Sequence, residues 1–247
     1  SIAGALPAGP WTAYGALAAG VALTIGALSS LVLPGRLRAS GLTPAIIGVS
    51  LGLFGLLSGT LGIQPERICA LLAALLLLAC LSIPWLAMAS TPVRVTGPSA
   101  AAQIDPRHID KSVSMGVSMS VSIRLGTCLA LVILTPILCS TSQGIALSAL
   151  IGAALMLSTR SIRSRVEVLI GVLSGMAVLA WAAYAAALQS ATSLLLVLVT
   201  SLTGSLLVLA TNVVTPKTRP WLSRTADTIS TLVIIAVPPF ALYMWGM

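Results

Sequence analysis

Apolar runs long enough to cross a bilayer follow one another along nearly the whole chain, and this succession restricts the fold more than any single residue does. A helix that spans the hydrocarbon needs about 20 consecutive apolar residues. Eight stretches meet or approach that length: Trp11–Leu33, Gly41–Ile63, Ile68–Met88, Val121–Leu138, Ile145–Thr159, Glu167–Leu188, Ala191–Val214 and Thr228–Met247. Breakers separate them: Pro34-Gly35 after the first, Gln64-Pro65-Glu66-Arg67 after the second, the uncharged turn Cys139-Ser-Thr-Ser-Gln-Gly144 after the fourth. With 57% hydrophobic and only 7% charged residues and a mean hydropathy of +1.08, the chain cannot clothe a water-facing surface; a soluble domain is about 25% charged. Lipid offers no partners to backbone polar groups, so runs of this length are helices. The expected fold class is all-α: a polytopic transmembrane helix bundle of about eight spans. Residues 1–88 form the first three spans, 89–124 a cytosolic polar insert with a helix from about 106, and 125–247 five further spans.

Charge placement tests the span count independently. Arg36 and Arg38 lie between spans one and two; Arg94, Arg107, Lys111 and Arg124 between three and four; Arg160, Arg163 and Arg165 between five and six; Lys217, Arg219 and Arg224 between seven and eight. Twelve of the thirteen basic residues thus fall on alternate connections, leaving only Arg67 opposite, beside Glu66. A wrong count would scramble this alternation. The positive-inside rule makes the basic side cytoplasmic in a plasma (inner) membrane protein, with both ends of the chain outside. Trp11, Tyr14, Tyr243 and Trp245 then mark the outer interface, and Trp85 and Trp221 the inner one. The net charge of +8 reflects this topology and attraction to anionic inner-leaflet lipid, about 1 kcal/mol per basic residue. A nucleic-acid surface would gather its basic residues in one folded module with stacking aromatics, which is not the pattern found. Ser1 is not an initiator methionine and no charged n-region precedes the first span, so the chain reads as a piece of a longer polypeptide.

The insert is the one long run that a bilayer would reject, with Pro92, Pro98 and Pro106 breaking regular structure. Asp105-Pro106 is a helix start, aspartate as N-cap and proline at the first helical position. Ser112–Ile123 alternates polar and apolar residues strictly, which by period is a strand signal. An isolated strand entering lipid would leave its backbone unpaired, so a helix feeding the fourth span is expected instead.

The pattern excludes most chemistry. No phosphate-binding glycine loop, metal-ligand pair or serine nucleophile elbow occurs. Cys69, Cys80, Cys128 and Cys139 sit singly in or beside apolar runs and read as buried free thiols. His108 reads as a solvated loop residue with no catalytic role. Glu167 and Asp227 sit at span edges beside Arg165 and Arg224, as ion pairs or as carboxylates at helix N-termini. No other acid, base or histidine is placed inside a span. No cofactor and no enzymatic activity are expected. Small residues do recur at helical spacing: Gly48 and Gly52, Gly55 and Gly59, Gly171 and Gly175. Such pairs let helix backbones approach closely in lipid, within one subunit or between two. Arg94, Arg107, His108, Asp110, Lys111, Arg160, Arg163, Arg165, Lys217, Arg219, Trp221 and Arg224 are the candidate contacts to lipid headgroups or partner subunits on the basic side.

At two of these connections the chain resembles a family. Arg160-Ser-Ile-Arg-Ser-Arg165 running into Glu167-Val-Leu-Ile-Gly-Val-Leu-Ser-Gly175, and then Arg219-Pro220, Arg224, Asp227, Pro238, Tyr243 and Gly246, are similar to stretches of EccD, the multi-spanning membrane subunit of actinobacterial type VII (ESX) secretion systems. Ser230 departs from the acidic residue the family pattern would place there. The resemblance implies that the eight spans match the last of eleven that follow a cytosolic ubiquitin-like domain. It also implies a non-enzymatic scaffold or channel-forming role, pairing with a second copy, a lipid-enclosing bundle, and assembly with EccB, EccC and EccE, with ATP hydrolysis on EccC. The rival expectation is a permease or secondary transporter whose coupling residues lie in a missing N-terminal part.

Overall fold

The computed structural model describes residues 10–29, 40–61, 63–90, 106–159, 164–189, 195 and 219–246. Among these the chain forms seven helices and no strand: α1 (Pro10–Ser29), α2 (Leu42–Leu61), α3 (Pro65–Ser90), α4 (Pro106–Leu138), α5 (Ser142–Ser158), α6 (Arg165–Gln189) and α7 (Arg219–Tyr243). Proline opens α1, α3 and α4, where its missing N–H is one that the first turn could not have satisfied anyway. Thr141 caps α5 from an extended conformation (φ −114°, ψ 154°), its hydroxyl accepting from the Gly144 N–H at 3.1 Å.

Leu42–Thr60, Pro65–Ser82, Gly116–Leu138 and Arg165–Gln189 are each long and apolar enough to cross a membrane, and Tyr14–Leu28, Ser142–Ser158 and Thr228–Tyr243 are shorter apolar helices. The bundle is therefore a helical membrane fold, as composition requires. The expected seventh span, Ala191–Val214, lies outside the described residues apart from Leu195. The helix expected to feed the fourth span is present, and one boundary differs from the hydropathy reading. Ser112–Ile123 is helical, and α4 runs unbroken for 33 residues from Pro106 through the span to Leu138. Intrahelical bonding overrides a period-2 pattern that has no sheet to join. Helix α7 begins at Arg219 rather than Thr228, because a polar first turn continues a helix readily once proline occupies its second position.

Hydrogen bonds define the two ends of the bundle. At one end Thr43 donates from its hydroxyl to the Ser122 carbonyl (2.9 Å), Ser120 to Glu167 Oε1 (2.8 Å), and Arg124 to Ser158 Oγ (3.2 Å). We call this the arginine end. At the other, Ser140 donates to Glu66 Oε1 (3.0 Å), Gln189 Nε2 to the carbonyls of Cys139 and Ser140 (3.3 and 3.2 Å), and Trp245 Nε1 to the Arg67 carbonyl (3.0 Å). This is the tryptophan end. Successive helices alternate between the two: α2 starts at the arginine end, α3 at the tryptophan end, α4 at the arginine end, α5 at the tryptophan end and α6 at the arginine end. Helices α4 and α6 are thus parallel neighbours, with α5 antiparallel to both.

Two buried clusters hold the helices together. The larger unites α2, α3, α4, α5 and α7 around Phe54, Ile68, Leu77, Leu131, Leu134, Ile151, Leu155 and Val237. The smaller lies between α5 and α6 and is built from Ile145, Ala149, Met156, Leu179, Ala182 and Ala186. Lipid is as apolar as leucine, so burial in such a bundle is stabilised by close van der Waals packing rather than by escape from water. Close approach is accordingly concentrated at glycines. A Cβ on Gly20 would stand 2.6 Å from the Gly52 Cα and 2.7 Å from the Gly48 carbonyl oxygen, and one on Gly48 would stand 2.9 Å from the Gly20 carbonyl oxygen. Helices α1 and α2 therefore touch backbone to backbone. Gly126 of α4 lies against Thr43 of α2, a Cβ there meeting the Thr43 carbonyl oxygen at 3.0 Å, and Gly175 of α6 faces the Gly152 carbonyl of α5. The outward face of α6 is a run of large apolar side chains, Val166, Leu169, Leu173, Met176, Tyr184 and Leu188, all more than half exposed, as a lipid-facing surface requires.

Candidate functional site

The buried polar groups collect on one seam at the arginine end, where α4, α5 and α6 meet. Helices α4 and α6 run parallel there in a fixed register. Ser120 faces Glu167, and one turn deeper Arg124 faces Gly171. Residues four apart lie on the same face of a helix, so Ser120 and Arg124 present one polar edge of α4, and Glu167 and Gly171 the matching edge of α6. Helix α5 closes the third side with its last two polar residues, Ser158 and Thr159.

Arg124 is the centre of this seam. It lies within the Gly116–Leu138 span and is 3% exposed. Its Nη2 donates to Ser158 Oγ at 3.2 Å, and its Nε is buried with no hydrogen-bond partner among the described residues. Gly171 makes the space: a Cβ there would meet Nη2 at 3.1 Å and Thr159 Cγ2 at 2.5 Å. The guanidinium also lies at the C-terminal end of α5, where the helix dipole favours a cation. Glu167, 9% exposed, stands in the first turn of α6, where the dipole favours an anion.

The expectation that no further charge enters a span fails at Arg124. Arg124 falls in both the insert, 89–124, and the apolar run Val121–Leu138; hydropathy averages over all faces of a helix, so the apolar residues beyond Arg124 mask one buried charge. The signal in the sequence is Ser120-x-x-x-Arg124, two polar residues on one helix face where the apolar run begins. Of the other candidate contacts, Arg165 opens α6 and is exposed. Arg107, His108, Asp110 and Lys111 fall in the first turns of α4, and Arg219, Trp221 and Arg224 in those of α7, but their side chains lie outside the described residues, as do Arg94, Arg160, Arg163 and Lys217 altogether. Among the glycine candidates, Gly48 and Gly52 face Gly20 of α1, and Gly171 and Gly175 face α5. These close approaches are within one subunit. Gly55 is buried and Gly59 exposed on α2.

Nothing in this arrangement resembles a nucleophile–base pair or a ligand set; among the described residues no three metal-ligating side chains converge. What the seam can do is hold three helix ends in register.

Comparison with known proteins agrees with the architecture. No curated protein matches the chain by sequence. The fold is similar to a solved chain described as protomer 1 of the ESX-3 core complex, with a TM-score of 0.66 at 13% identity, over 92% of this chain and 55% of that one. The chain thus spans little more than half the length of that relative. The model of the EccD-like transmembrane domain matches residues 1–247, and the chain therefore belongs to the EccD family.

Proposed function

We propose that the chain is a non-enzymatic membrane subunit of a type VII secretion complex. In this reading it acts as a scaffold or channel-forming element that packs its helices into a lipid-enclosing bundle. The observation that carries this reading is the family match over all 247 residues. The likeness to a protomer of a multi-subunit core complex supports assembly with other membrane subunits, of which EccB, EccC, EccE and a second copy of this chain are the proposed partners. The arginine end is the proposed cytoplasmic side, from the placement of twelve basic residues on alternate connections. There the basic connections and the first turns of α4 and α7 are the proposed contacts to partners and to anionic lipid.

The test is native purification of the full-length tagged chain from its own membrane, followed by mass spectrometry. Co-purification with further membrane subunits and an ATPase is expected; the chain emerging alone would overturn the proposal. One observation favours a second reading, a permease or secondary transporter: Arg124 is an ionisable group buried within a span, where such groups often serve transport. Proteoliposomes holding the purified chain would show solute flux abolished by Arg124→Gln if that reading held.

A further inference from the structure

We propose that Arg124 is a positioning residue. Charge-balanced by Glu167, it pins the C-terminal end of α5 and the first turns of α6 to α4. The connection leaves α5 after Ser158 and enters α6 at Arg165. On its departing side, Ser158 accepts from Arg124 Nη2 and Thr159 packs against the same Gly171 surface that the guanidinium covers. On its returning side, Glu167 accepts from Ser120, one turn before Arg124, and Gly171 lies against the guanidinium itself. A single helix, α4, therefore holds the helices on both sides of the connection through Ser120 and Arg124.

The charge balance follows from burial. A guanidinium that is 3% exposed and that, among the described residues, holds the Ser158 hydroxyl and has no acceptor for its Nε–H is not solvated by those contacts. A charge so placed is tolerated when an opposite charge stands near it. Among the described carboxylates, Glu66 belongs to the tryptophan end and Glu167 to this one. Glu167 is itself buried and occupies the turn of α6 facing the turn of α4 just before Arg124.

The experiment uses the full-length chain in its native membrane, with Ser164→Cys as reporter on the connection and Ser140→Cys as control at the opposite end. The readout is the labelling rate with a membrane-impermeant maleimide from the arginine side, or from the tryptophan side for the control. Arg124→Gln and Glu167→Gln should each raise the reporter's rate by about tenfold, near the low end of what a hydrogen bond from a charged group contributes, and leave the control unchanged. Arg124→Lys, which keeps the charge but not the planar fork, should fall between wild type and Arg124→Gln. The double variant Arg124→Gln/Glu167→Gln, with no charge left unbalanced, should recover the folded abundance that either single variant loses while the reporter stays fast. Unchanged reporter labelling in Arg124→Gln, or equal acceleration of reporter and control, would overturn the pin. A double variant no more abundant than the singles would overturn the charge balance. The link from this pin to partner capture rests on the proposed function. Fast reporter labelling with partners still co-purifying would leave the pin standing and remove the connection from the docking surface.

Discussion

Gly20→Ala adds one methyl group to α1 and should loosen the bundle, whereas the same change at Gly26, on the same helix, should not. At Gly20 the new Cβ would lie 2.6 Å from the Gly52 Cα and 2.7 Å from the Gly48 carbonyl oxygen, against 3.4 Å for the start of ordinary contact. The obstructing atoms, Gly52 N the nearest of them, are backbone and cannot rotate aside, so α1 must retreat from α2 by at least the 0.8 Å shortfall at Gly52 Cα. Overpacking of this kind costs about 1–3 kcal/mol, and replacing a mid-helix glycine by alanine returns up to about 1 kcal/mol. The net loss should be about 1–2 kcal/mol. Gly26→Ala meets nothing within 4 Å and should be neutral or slightly stabilising. Gly52→Ala is the sharper comparison. Its Cβ would sit 3.9 Å from Gly20 Cα, an ordinary contact, although Gly48-x-x-x-Gly52 reads as a symmetric pair. Thermal unfolding of the purified chain in one detergent, followed by size-exclusion retention after heating, should rank the variants from least to most stable as Gly20→Ala, Gly48→Ala, then Gly52→Ala with Gly26→Ala. A Gly52→Ala variant as unstable as Gly20→Ala, or a Gly20→Ala variant indistinguishable from wild type, would refute the backbone-contact argument.

Other outcomes follow from single contacts. Gly144→Ala would drive its methyl into the Leu138 carbonyl oxygen, and should cost about 3 kcal/mol, read as loss of folded chain from the membrane fraction. Trp245→Phe removes the 3.0 Å bond to the Arg67 carbonyl and should lower stability by about 1 kcal/mol, with Trp245→Tyr no better because its hydroxyl cannot take the indole N–H position. Burial pushes the Cys139 thiol up to about 11, only partly offset by its contact with Ser148. The folded state therefore holds this proton more tightly than the unfolded state. Its contribution to stability is complete below the ordinary thiol value of 9.0 and is lost as pH rises from there toward 11. Iodoacetamide should accordingly leave Cys139 unmodified in the folded chain at pH 8 and react after denaturation, which mass spectrometry of the digested chain would report.

The number and order of the described spans were legible because lipid imposes one length and one polarity on every crossing. Pro106 marked a helix start for the same reason that it opens α4, whereas Pro65, legible only as part of a breaker between spans, opens α3. What stayed hidden was which helix meets which. Gly48 announced a close approach, but nothing local named Gly20 as its partner: Ala16, Gly20 and Thr24 also stand at small-residue spacing, as do many positions in so small-residue-rich a chain, and which two faces pair is not a local property. Gly171 and Gly175 looked like one motif and do two different things. Gly175 meets the Met156 side chain and the Gly152 carbonyl, and Gly171 makes room for Arg124. The charge of Arg124 was visible and its depth was not, because depth depends on α5 and α6 closing over it.

The continuity of α4 has a mechanical consequence. Fourteen of its residues, 106–119, precede the Ser120 contact with Glu167, an extension of about 21 Å at 1.5 Å per residue. A flexible linker dissipates a push at its tip by bending. An unbroken helix transmits it as tilt, pivoting where the rod is clamped. The clamp nearest the extension is the Ser120–Arg124 edge, and the point of least stiffness is Pro136, near the far end, where a backbone hydrogen bond is missing. Force applied to the first turns of α4 therefore reaches the end of α5 and the start of α6 before it is relieved.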